Sequence, residues 1–466
     1  MANKVQALVV GAGISGLSTA FGLQKAGIDT LLVESAARPG GVIKSVKRDG
    51  YLVECGPQSF SGNAYVTALC QDLGILEERL VADSRAPRYV LIDGKLQLVP
   101  MSPPSLLFSS LMGGGTRTAI VRDIFGKSQA PEPDESVANF IRRKYSSTLL
   151  DRLVGPFVSG IYAGDPEKLS LRAAFPILYQ AEKASGSILR GIFKVMKSKK
   201  KAAAPGPRER PTLQSFREGN ETLVQALAAK LGDRLRCATE ISYIDHIDSS
   251  PQVNAPRFRI TLRGPRGAEI IEAERLVLAV PTDVAGKLLA RVDSSFESDL
   301  VPVEYSGVAV VSLAYRDEDL GHPADGFGFL VPRSSKLSIL GTVWNSSLFP
   351  GRAPEGHTLI TNFVGGATNP GALGTTGSDL VAQVHRELTP LMDARKEPVF
   401  SNVTIWQRAI PQYNLGHTAR LANLETTRAK YPGLWFAGNY LTGPAVGTCV
   451  EQAAKVADEV RVSFAN

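Results

Sequence analysis

The sequence predicts an α/β protein with a Rossmann-like nucleotide-binding domain, a second domain built on a mixed β-sheet, and an inserted helical domain. Three observations indicate this fold. The chain opens with a strand, a glycine-rich turn, a helix and a second strand; residues 88–200 read as mainly helical; and residues 308–363 contain alternating apolar runs typical of strands. A chain of 466 residues is also too long for one hydrophobic core, so two or three domains are expected.

The opening segment predicts a bound dinucleotide. Gly11 permits the tight turn after the first strand, Gly13 lets backbone amides approach a pyrophosphate, and Gly16 lets the helix lie close to the strand. The phosphates would then lie at the positive N-terminus of that helix. Glu34, which ends the second strand, would bind the ribose hydroxyls and repel the additional phosphate of NADP, so the predicted ligand is FAD or NAD.

The net charge of +7 comes from one segment, because nine basic residues and one acidic residue lie between Lys183 and Arg210. This segment begins as a short amphipathic helix, with Ile188, Ile192 and Val195 on one side, and continues into Lys, Ala, Gly and Pro. A solvated loop and contact with an anionic membrane surface both fit this pattern. Nucleic acid is not a predicted partner, since Phe193 is the single aromatic residue among the basic ones.

Neither a metal site nor a disulfide framework is predicted, because the cysteines and histidines are dispersed. No apolar run is long enough to span a bilayer, and the first strand begins by Val5, which leaves no room for a signal or transit peptide. A cytoplasmic location is therefore expected, with peripheral attachment to the inner face of the membrane through the basic segment and the apolar stretch 101–114. The dispersed residues are Cys55, Cys70, Cys237, Cys449, His246, His322, His357, His385 and His417.

Composition changes divide the chain into five predicted segments. The nucleotide-binding domain takes residues 1–86, 206–292 and 403–466; the helical insertion takes 87–205; and the substrate-binding sheet domain takes 293–402. The last segment contains a buried strand, a glycine-rich turn and a helix that opens near Ala445. This second helix N-terminus would stabilise negative charge on a cofactor, although an ordinary strand-to-helix packing unit has the same pattern.

The motifs carry a family resemblance. Glu34-x-x-x-Arg38-x-Gly40-Gly41 and the turn FAGN resemble the FAD-containing amine oxidase superfamily. Residues 156–176 (PFVSGIYAGDPEKLSLRAAFP) and the segments GFGFLVP, LFPGRAPEG, FVGGATNPG and IPQYNLGH resemble the protoporphyrinogen oxidases within it. The resemblance implies oxidation of protoporphyrinogen IX to protoporphyrin IX by FAD in heme or chlorophyll biosynthesis, with oxygen as acceptor and hydrogen peroxide as product.

Three other functions stay open. Coproporphyrinogen III oxidation on the same fold differs in the number of propionates that must be bound, and an amine or carotenoid oxidoreductase would share the frame. An FAD-stabilised scaffold without turnover is the third. The resemblance also leaves a homodimer open.

The resemblance assigns a substrate site that holds a flat apolar macrocycle. Arg88 would pair with a propionate, as a guanidinium fork suits a carboxylate, although an arginine before a strand is commonly a solvated cation. Gly160 and Gly164 match positions where the backbone approaches the substrate, and both would also serve as turn glycines. The residues expected to clamp the macrocycle, which core burial alone would equally explain, are Phe327, Phe329, Leu330, Val343 and Phe363.

The resemblance assigns the cofactor site to four further regions. These are a loop beneath the flavin, a strand residue near adenine, an aromatic residue near the ring and the start of the last helix. No catalytic side chain is predicted, because hydride from a carbon flanked by two pyrroles would pass to flavin N5 without an acid or a metal. Together with the glycine turn and the segment from Glu34 to Gly41, these regions give the full set of predicted cofactor-binding residues. They are Gly11, Gly13, Ile14, Ser15, Gly16, Glu34, Ser35, Arg38, Gly40, Gly41, Gly56, Pro57, Gln58, Ser59, Ile241, Trp406, Gly438, Asn439, Pro444, Ala445 and Val446.

Overall fold

The computed structural model describes residues 3–100, 102, 105, 109, 111–125, 133–202, 212–247 and 255–465, and gives the backbone alone for 199–202. The strands are β1 (Asn3–Val10), β2 (Thr30–Val33), β3 (Ser45–Arg48), β4 (Tyr51–Glu54), β5 (Phe60–Ser61), β6 (Arg79–Val81), β7 (Arg88–Ile92), β8 (Lys95–Leu98), β9 (Leu213–Phe216), β10 (Leu235–Arg236), β11 (Glu240–His246), β12 (Phe258–Gly264), β13 (Gly267–Leu278), β14 (Tyr305–Arg316), β15 (Gly328–Leu330), β16 (Ile339–Trp344), β17 (His357–Gly365), β18 (Phe400–Pro411) and β19 (Leu434–Phe436).

The helices alternate with these strands and are concentrated in the middle of the chain. They are α1 (Ile14–Lys25), α2 (Ala64–Leu73), α3 (Gly114–Phe125), α4 (Val137–Lys144), α5 (Ser147–Leu149), α6 (Gly155–Tyr162), α7 (Leu171–Ala174), α8 (Pro176–Ser185), α9 (Ile188–Ala202), α10 (Glu221–Leu231), α11 (Thr282–Leu289), α12 (Ser295–Leu300), α13 (Asn345–Leu348), α14 (Gly377–Met392), α15 (His417–Arg428) and α16 (Val446–Val462), with a π-helix at Leu150–Val154.

The first sheet has the parallel order β10-β2-β1-β13-β19, to which β12 and β11 add antiparallel along the first half of β13. Helices α1, α2, α10 and α16 bury their apolar sides on one face of this sheet. The glycine turn after β1 therefore lies at the carboxyl edge of the parallel strands, beside the ends of β13 and β19. Open parallel sheets bind their ligands at this edge.

The second sheet has the order β18-β14-β17-β16-β15-β7-β8 and is antiparallel except for the pair β15 and β7. One face packs against α14, where Leu380, Val384 and Leu388 meet Trp344 and Val364 in a continuous core. The opposite face looks toward the first domain. The mixed sheet agrees with the prediction.

Two parts of the second sheet lie outside its predicted range. Strands β7 and β8 were expected in the helical insertion, but β7 pairs with β15 and so completes the second sheet. Strand β18 continues to Pro411, past the predicted boundary at residue 402. Both pairings join residues far apart in the chain, and a local apolar pattern does not specify such partners.

The helical domain runs from α3 to α9 and has its own apolar core, which includes Phe140, Val158 and Ile188. Arg143 and Lys144 at the end of α4 pair with Glu182 on α8, whose carboxylate is buried. Half of the predicted apolar segment 101–114 lies outside the described residues. No helix in the described ranges is both long enough and apolar enough to cross a membrane.

Candidate active site

The glycine turn after β1 forms a cradle in which Gly11 and Gly16 leave no room for a Cβ atom. A Cβ atom at Gly16 would lie 1.8 Å from the Gly11 carbonyl oxygen, and one at Gly11, whose φ is +95°, would lie 2.6 Å from the Ala279 oxygen. Gly13 faces open space, and α1 begins there without a side-chain cap. The first-turn amides of Ile14 and Ser15 are therefore donors to which a pyrophosphate can bind.

Glu34 is held in place beside this turn. One carboxylate oxygen accepts the Ala12 N–H at 2.7 Å, and the other accepts the Ala36 N–H at 2.9 Å and the Ser35 hydroxyl at 3.4 Å. The oxygen that accepts the Ala12 N–H retains acceptor capacity for a ribose hydroxyl. The structure thus places Glu34 and Ser35 next to the cradle, as predicted.

Arg38 shapes the loop that crosses the cradle. Its guanidinium donates to the carbonyl oxygens of Pro39 at 3.0 Å, Ile43 at 3.1 Å and Gly41 at 2.7 Å. Gly40 and Gly41 have φ values of +104° and +57°, and a Cβ at Gly41 would lie 3.6 Å from the Cα of Gly13. Arg38 therefore acts on the site by fixing this loop over the glycine turn.

The loop from Cys55 to Ser59, named the cofactor loop for its predicted role, is anchored from both domains. Gly56 leaves no room for a side chain, since its Cβ would lie 2.0 Å from the Val42 oxygen. The Gln58 amide donates to the carbonyl oxygens of Glu54 and Gly56, both at 2.9 Å, and its oxygen accepts from the Asn345 side chain at 2.7 Å. The predicted role of Gln58 at the cofactor thus includes holding this loop in shape.

Trp406 ties the second sheet to the same loop. Its indole Nε1 donates to the Cys55 oxygen at 2.6 Å, and in the sheet it pairs with Val308. Neither the Cys55 carbonyl nor Asn345 was predicted as part of the site, because both act through contacts between distant segments.

The start of α16 meets this loop region from the other side. A Cβ at Gly447 would lie 2.2 Å from the Ser61 oxygen, and Asn63 donates to the Gly447 oxygen at 3.0 Å. Helix α16 has Ala445 at its N-cap position without a side-chain cap, so its first amides are unpaired within the helix. Residues Gly438, Asn439, Pro444, Ala445 and Val446 thus converge on the edge that carries the glycine cradle.

Cys449, in the first turns of α16, is a buried thiol. It is 3% exposed, and burial raises its pKa to about 11, so the neutral form predominates at physiological pH. Ile241 is also buried, in the core beside β1 and β2, and its contact with adenine stays a prediction.

One face of the second sheet brings most of the predicted substrate residues together. Phe327 and Phe363 pack against Val343 in one apolar cluster, and Leu330 is in register with Gly341, which is in register with Phe363. The Arg88 guanidinium carbon lies 5.2 Å from the centre of the Phe327 ring. Trp406, which contacts the cofactor loop, is in register with Val308 on β14, the neighbour of β17.

Phe329 does not belong to this face. It is 1% exposed and lies in the core between the sheet and α14, with its ring 6.4 Å from that of Trp344. Successive strand residues point to opposite faces, and Leu330 occupies the face toward the first domain. The assignment of Phe329 to the substrate is therefore wrong. Regular alternation along the strand would place Phe327 on the same face as Phe329. Phe327 lies on the opposite face because Gly328, with φ of +131°, interrupts this alternation.

The helical domain closes one side of this face at the predicted glycines. A Cβ at Gly160 would lie 2.7 Å from Leu330 Cδ2, so α6 approaches the sheet closely there. A Cβ at Gly164 would lie 2.8 Å from the side-chain oxygen of Gln412. A side chain at either glycine would displace the end of the Leu330 or the Gln412 side chain. The contact of both glycines with substrate stays a prediction.

These features fit FAD. The uncapped first turn, the glycine cradle and Glu34 suit a dinucleotide, and the two anchored loops lie at the carboxyl edge between the domains. In the part of the chain that the structure describes, no cluster of three His, Cys, Asp or Glu side chains could hold a metal ion. The fold and the site define the class of the protein as an FAD-dependent oxidoreductase.

Comparison with known proteins identifies the family. The model of the flavin containing amine oxidoreductase family matches residues 14–461, and the chain belongs to this family. It is similar to the chloroplastic protoporphyrinogen oxidase of Oryza sativa subsp. japonica, with 36% identity over 97% of this chain and 87% of that protein. It is also similar to coproporphyrinogen III oxidase of Bacillus subtilis (strain 168), with 29% identity over 99% of each chain.

Solved structures share the fold. A protein from Exiguobacterium sp. 255-15 superimposes with a TM-score of 0.79 at 23% identity, covering 99% of both chains. Cyclohexylamine oxidase from Brevibacterium oxydans IH-35A superimposes with a TM-score of 0.71 at 17% identity, covering 99% of this chain and 100% of that one. The predicted α/β fold class and the FAD cofactor are thereby confirmed.

Proposed function

We propose that this protein oxidises protoporphyrinogen to protoporphyrin and passes the electrons to molecular oxygen, which is released as hydrogen peroxide. The observation that carries the proposal is the 36% identity to the rice protoporphyrinogen oxidase along 97% of this chain. The apolar face of the second sheet, with Arg88 at its edge, supports it. The macrocycle has an apolar body and carboxylates at its edge, so its apolar and charged parts match the apolar face and the arginine of this surface.

The chemistry asks little of side chains beyond positioning. A meso carbon flanked by two pyrroles stabilises positive charge by itself, and bound FAD supplies the acceptor for the hydride. Each two-electron step removes one hydride and one proton from the substrate, and the two electrons and two protons convert one O₂ to one H₂O₂. The apolar cluster of Phe327, Val343 and Phe363 would hold the macrocycle in one orientation and exclude water.

Arg88 is proposed to bind a substrate propionate. It begins β7 beside Phe327, and that ring orients the guanidinium by a cation–π contact. Replacing Arg88 by Ala should raise KM for the porphyrinogen at least about tenfold with a smaller effect on kcat, because the contact is made to the bound substrate in ground and transition states alike. Arg88→Lys should recover part of the loss. An unchanged KM in Arg88→Ala would remove Arg88 from the site.

The second candidate is coproporphyrinogen oxidation, which the similarity to the Bacillus subtilis enzyme favours. The two substrates differ in that coproporphyrinogen has four propionates and protoporphyrinogen has two. Purified holoenzyme should be assayed with both under equal conditions, with kcat/KM as the measure. We expect protoporphyrinogen to be preferred, and a preference for the four-propionate substrate would reverse the assignment.

We also propose that the helical domain rests on a membrane surface. On the outer side of α9, Leu189, Phe193 and Met196 are 39%, 76% and 63% exposed and lie about one helical turn apart. The basic residues Arg190 and Lys194 are interleaved with them. Such a stripe is typical of helices that lie in the interface of an anionic bilayer.

Vesicle flotation tests this surface. Phe193→Ser combined with Met196→Ser should reduce binding to vesicles that contain anionic lipid several-fold, since apolar area is lost from the contact. Ile270→Ser is the matched control, because Ile270 is 45% exposed on β13 of the first domain. Equal flotation of the wild type and both variants would contradict the proposal.

A further inference from the structure

The segment Pro411–His417, which follows β18 and leads into α15, has no role in the function described above, yet it joins two distant parts of the molecule. On one side it is attached to the helical domain. The bonds are from the Gln412 side chain to the Tyr162 oxygen at 2.8 Å, from Ser170 N–H to the Tyr413 oxygen at 2.8 Å, from Leu415 N–H to the Lys168 oxygen at 2.9 Å, and from Gly416 N–H to the Asp134 carboxylate at 2.7 Å.

On its other side the segment contacts the turn that follows β19. The Tyr413 hydroxyl donates to the Asn439 carbonyl oxygen, and His417 Nε2 donates to the Tyr440 carbonyl oxygen at 2.9 Å. The two rings are stacked, with centroids 4.5 Å apart and planes 8° apart. Both side chains are 2% exposed, so water does not compete for these bonds.

His417 is held in one state by this arrangement. Its partner is a carbonyl oxygen, so Nε2 carries the proton, and burial lowers the pKa of the imidazole and keeps it neutral. Within the described residues, its Nδ1 atom is buried without a hydrogen-bond partner. The tautomer is therefore set by the bond to Tyr440.

The two bonds fix the orientation of two successive peptide units. In a trans peptide the C=O and N–H point in opposite directions, so holding the oxygens of Asn439 and Tyr440 also fixes the N–H groups of Tyr440 and Leu441. Neither unit can flip without leaving a buried carbonyl without its donor. The turn is held further by the bond from Leu441 N–H to the Gly438 oxygen at 3.3 Å.

This turn lies where the cofactor binds. Strand β19 pairs with β13 and ends at the carboxyl edge of the parallel sheet, and the turn connects it to the uncapped N-terminus of α16. Amides at that edge are the groups that a bound dinucleotide contacts. The orientation of the turn therefore bears on how the cofactor is held and on how well negative charge on it is stabilised.

We propose that Tyr413 and His417 are positioning residues that fix the peptide units of the turn 438–441, and thereby set the retention of FAD and its reduction potential. They act through the turn and do not touch the substrate. The inference concerns the cofactor alone, so it stands whether or not the proposed porphyrinogen substrate is correct.

Holoenzyme variants test the proposal by two measurements that do not involve turnover: the rate of FAD release, followed by flavin fluorescence, and the flavin reduction potential. Tyr413→Phe removes a single oxygen atom, and His417→Phe keeps the stacked ring but removes the donor. His417→Gln keeps an amide donor at a similar reach. Tyr162→Phe is the matched control, because its hydroxyl makes an equivalent buried bond to the Ala174 oxygen at 2.9 Å, within the helical domain.

We expect Tyr413→Phe and His417→Phe to release FAD about tenfold faster than the wild type and to have a more negative potential. A tenfold selective loss of affinity for the reduced cofactor corresponds to about 30 mV for a two-electron couple. His417→Gln should recover most of both changes, and Tyr162→Phe should show neither. Release and potential in Tyr413→Phe equal to those of Tyr162→Phe would overturn the proposal, and a His417→Gln variant as impaired as His417→Phe would remove His417 from it.

Discussion

Arg352→Met breaks a buried ion pair between Arg352, in the loop that leads into β17, and Glu54, at the end of β4. Arg352 and Glu54 each have a side chain that is 1% exposed, and Nη2 lies 3.7 Å from the carboxylate. The carboxylate also accepts the Asn220 N–H at 2.8 Å and the Ser45 hydroxyl at 2.7 Å. Glu54 directly precedes the cofactor loop. The pair therefore holds the loop that contains Arg352, in the domain of the second sheet, against the cofactor loop of the first domain.

The expected loss is large because the substitution leaves a buried carboxylate without its cation. Burial raises the pKa of Glu54 from 4.5 to about 7 even with Arg352 beside it. At about 1.4 kcal/mol per pKa unit, this shift corresponds to about 3.5 kcal/mol of unfavourable burial in the ionised state. Removing the guanidinium raises the pKa further, and we expect Arg352→Met to lower the free energy of unfolding by about 3–5 kcal/mol.

The loss should depend on pH in a defined direction. A carboxyl group whose pKa is higher in the folded chain contributes stability below about pH 4.5, and this is lost as the pH rises through the folded-state pKa. In the wild type the free energy of unfolding stops falling above about pH 7. In Arg352→Met the pKa of Glu54 is higher still, so the free energy of unfolding continues to fall above that pH. The deficit of the variant should therefore be larger at about pH 8 than at about pH 6.

Urea unfolding of the holoenzyme, followed by far-ultraviolet circular dichroism and by flavin fluorescence, provides the measurement. Glu54→Gln and the double variant complete a double-mutant cycle, and at about pH 8 the double variant should be more stable than Arg352→Met alone. A deficit below about 1 kcal/mol that is the same at both pH values would show instead that water reaches the pair and screens it.

Three further predictions follow from the same geometry. Gly16→Ala should yield a protein without flavin absorbance, because the new Cβ would lie 1.8 Å from the Gly11 oxygen, whereas Gly371→Ala, which meets nothing within 4 Å, should purify yellow. Glu54→Gln should remove the fall in unfolding free energy between about pH 4.5 and 7, and a fall as steep as in the wild type would place its origin elsewhere. Cys449 should resist alkylation in the native holoenzyme at about pH 8, as measured by mass spectrometry, because its thiol is buried with a pKa of about 11; rapid labelling would show an accessible thiolate.

The nucleotide site was predictable because its signals are local. The glycine turn, α1 and Glu34 lie within one short stretch of the chain. The role of each can be inferred from this stretch alone, without knowing which distant residues pack against it. The same holds for the start of α16, where the apolar strand, the glycines and the helix follow one another directly.

The substrate face was only partly predictable. Whether a residue of β15 points to the first domain or to α14 depends on pairing with β7 and on the backbone of Gly328, which is why Phe329 was assigned to the wrong side. The partnership of Glu54 with Arg352 was not predicted either. These residues are distant in sequence, and nothing near either one specifies the other.

The face that carries Arg88, Phe327 and Phe363 is proposed to present a porphyrinogen to FAD. Anaerobic mixing of the holoenzyme with protoporphyrinogen in a stopped-flow spectrometer tests it most directly. Flavin absorbance should disappear before oxygen is admitted, because the bound flavin takes two of the six electrons that separate porphyrinogen from porphyrin. Admission of oxygen should restore the flavin absorbance, and porphyrin fluorescence should appear as the remaining two-electron steps follow. Flavin that stays oxidised with either porphyrinogen but is reduced by a primary amine would contradict it.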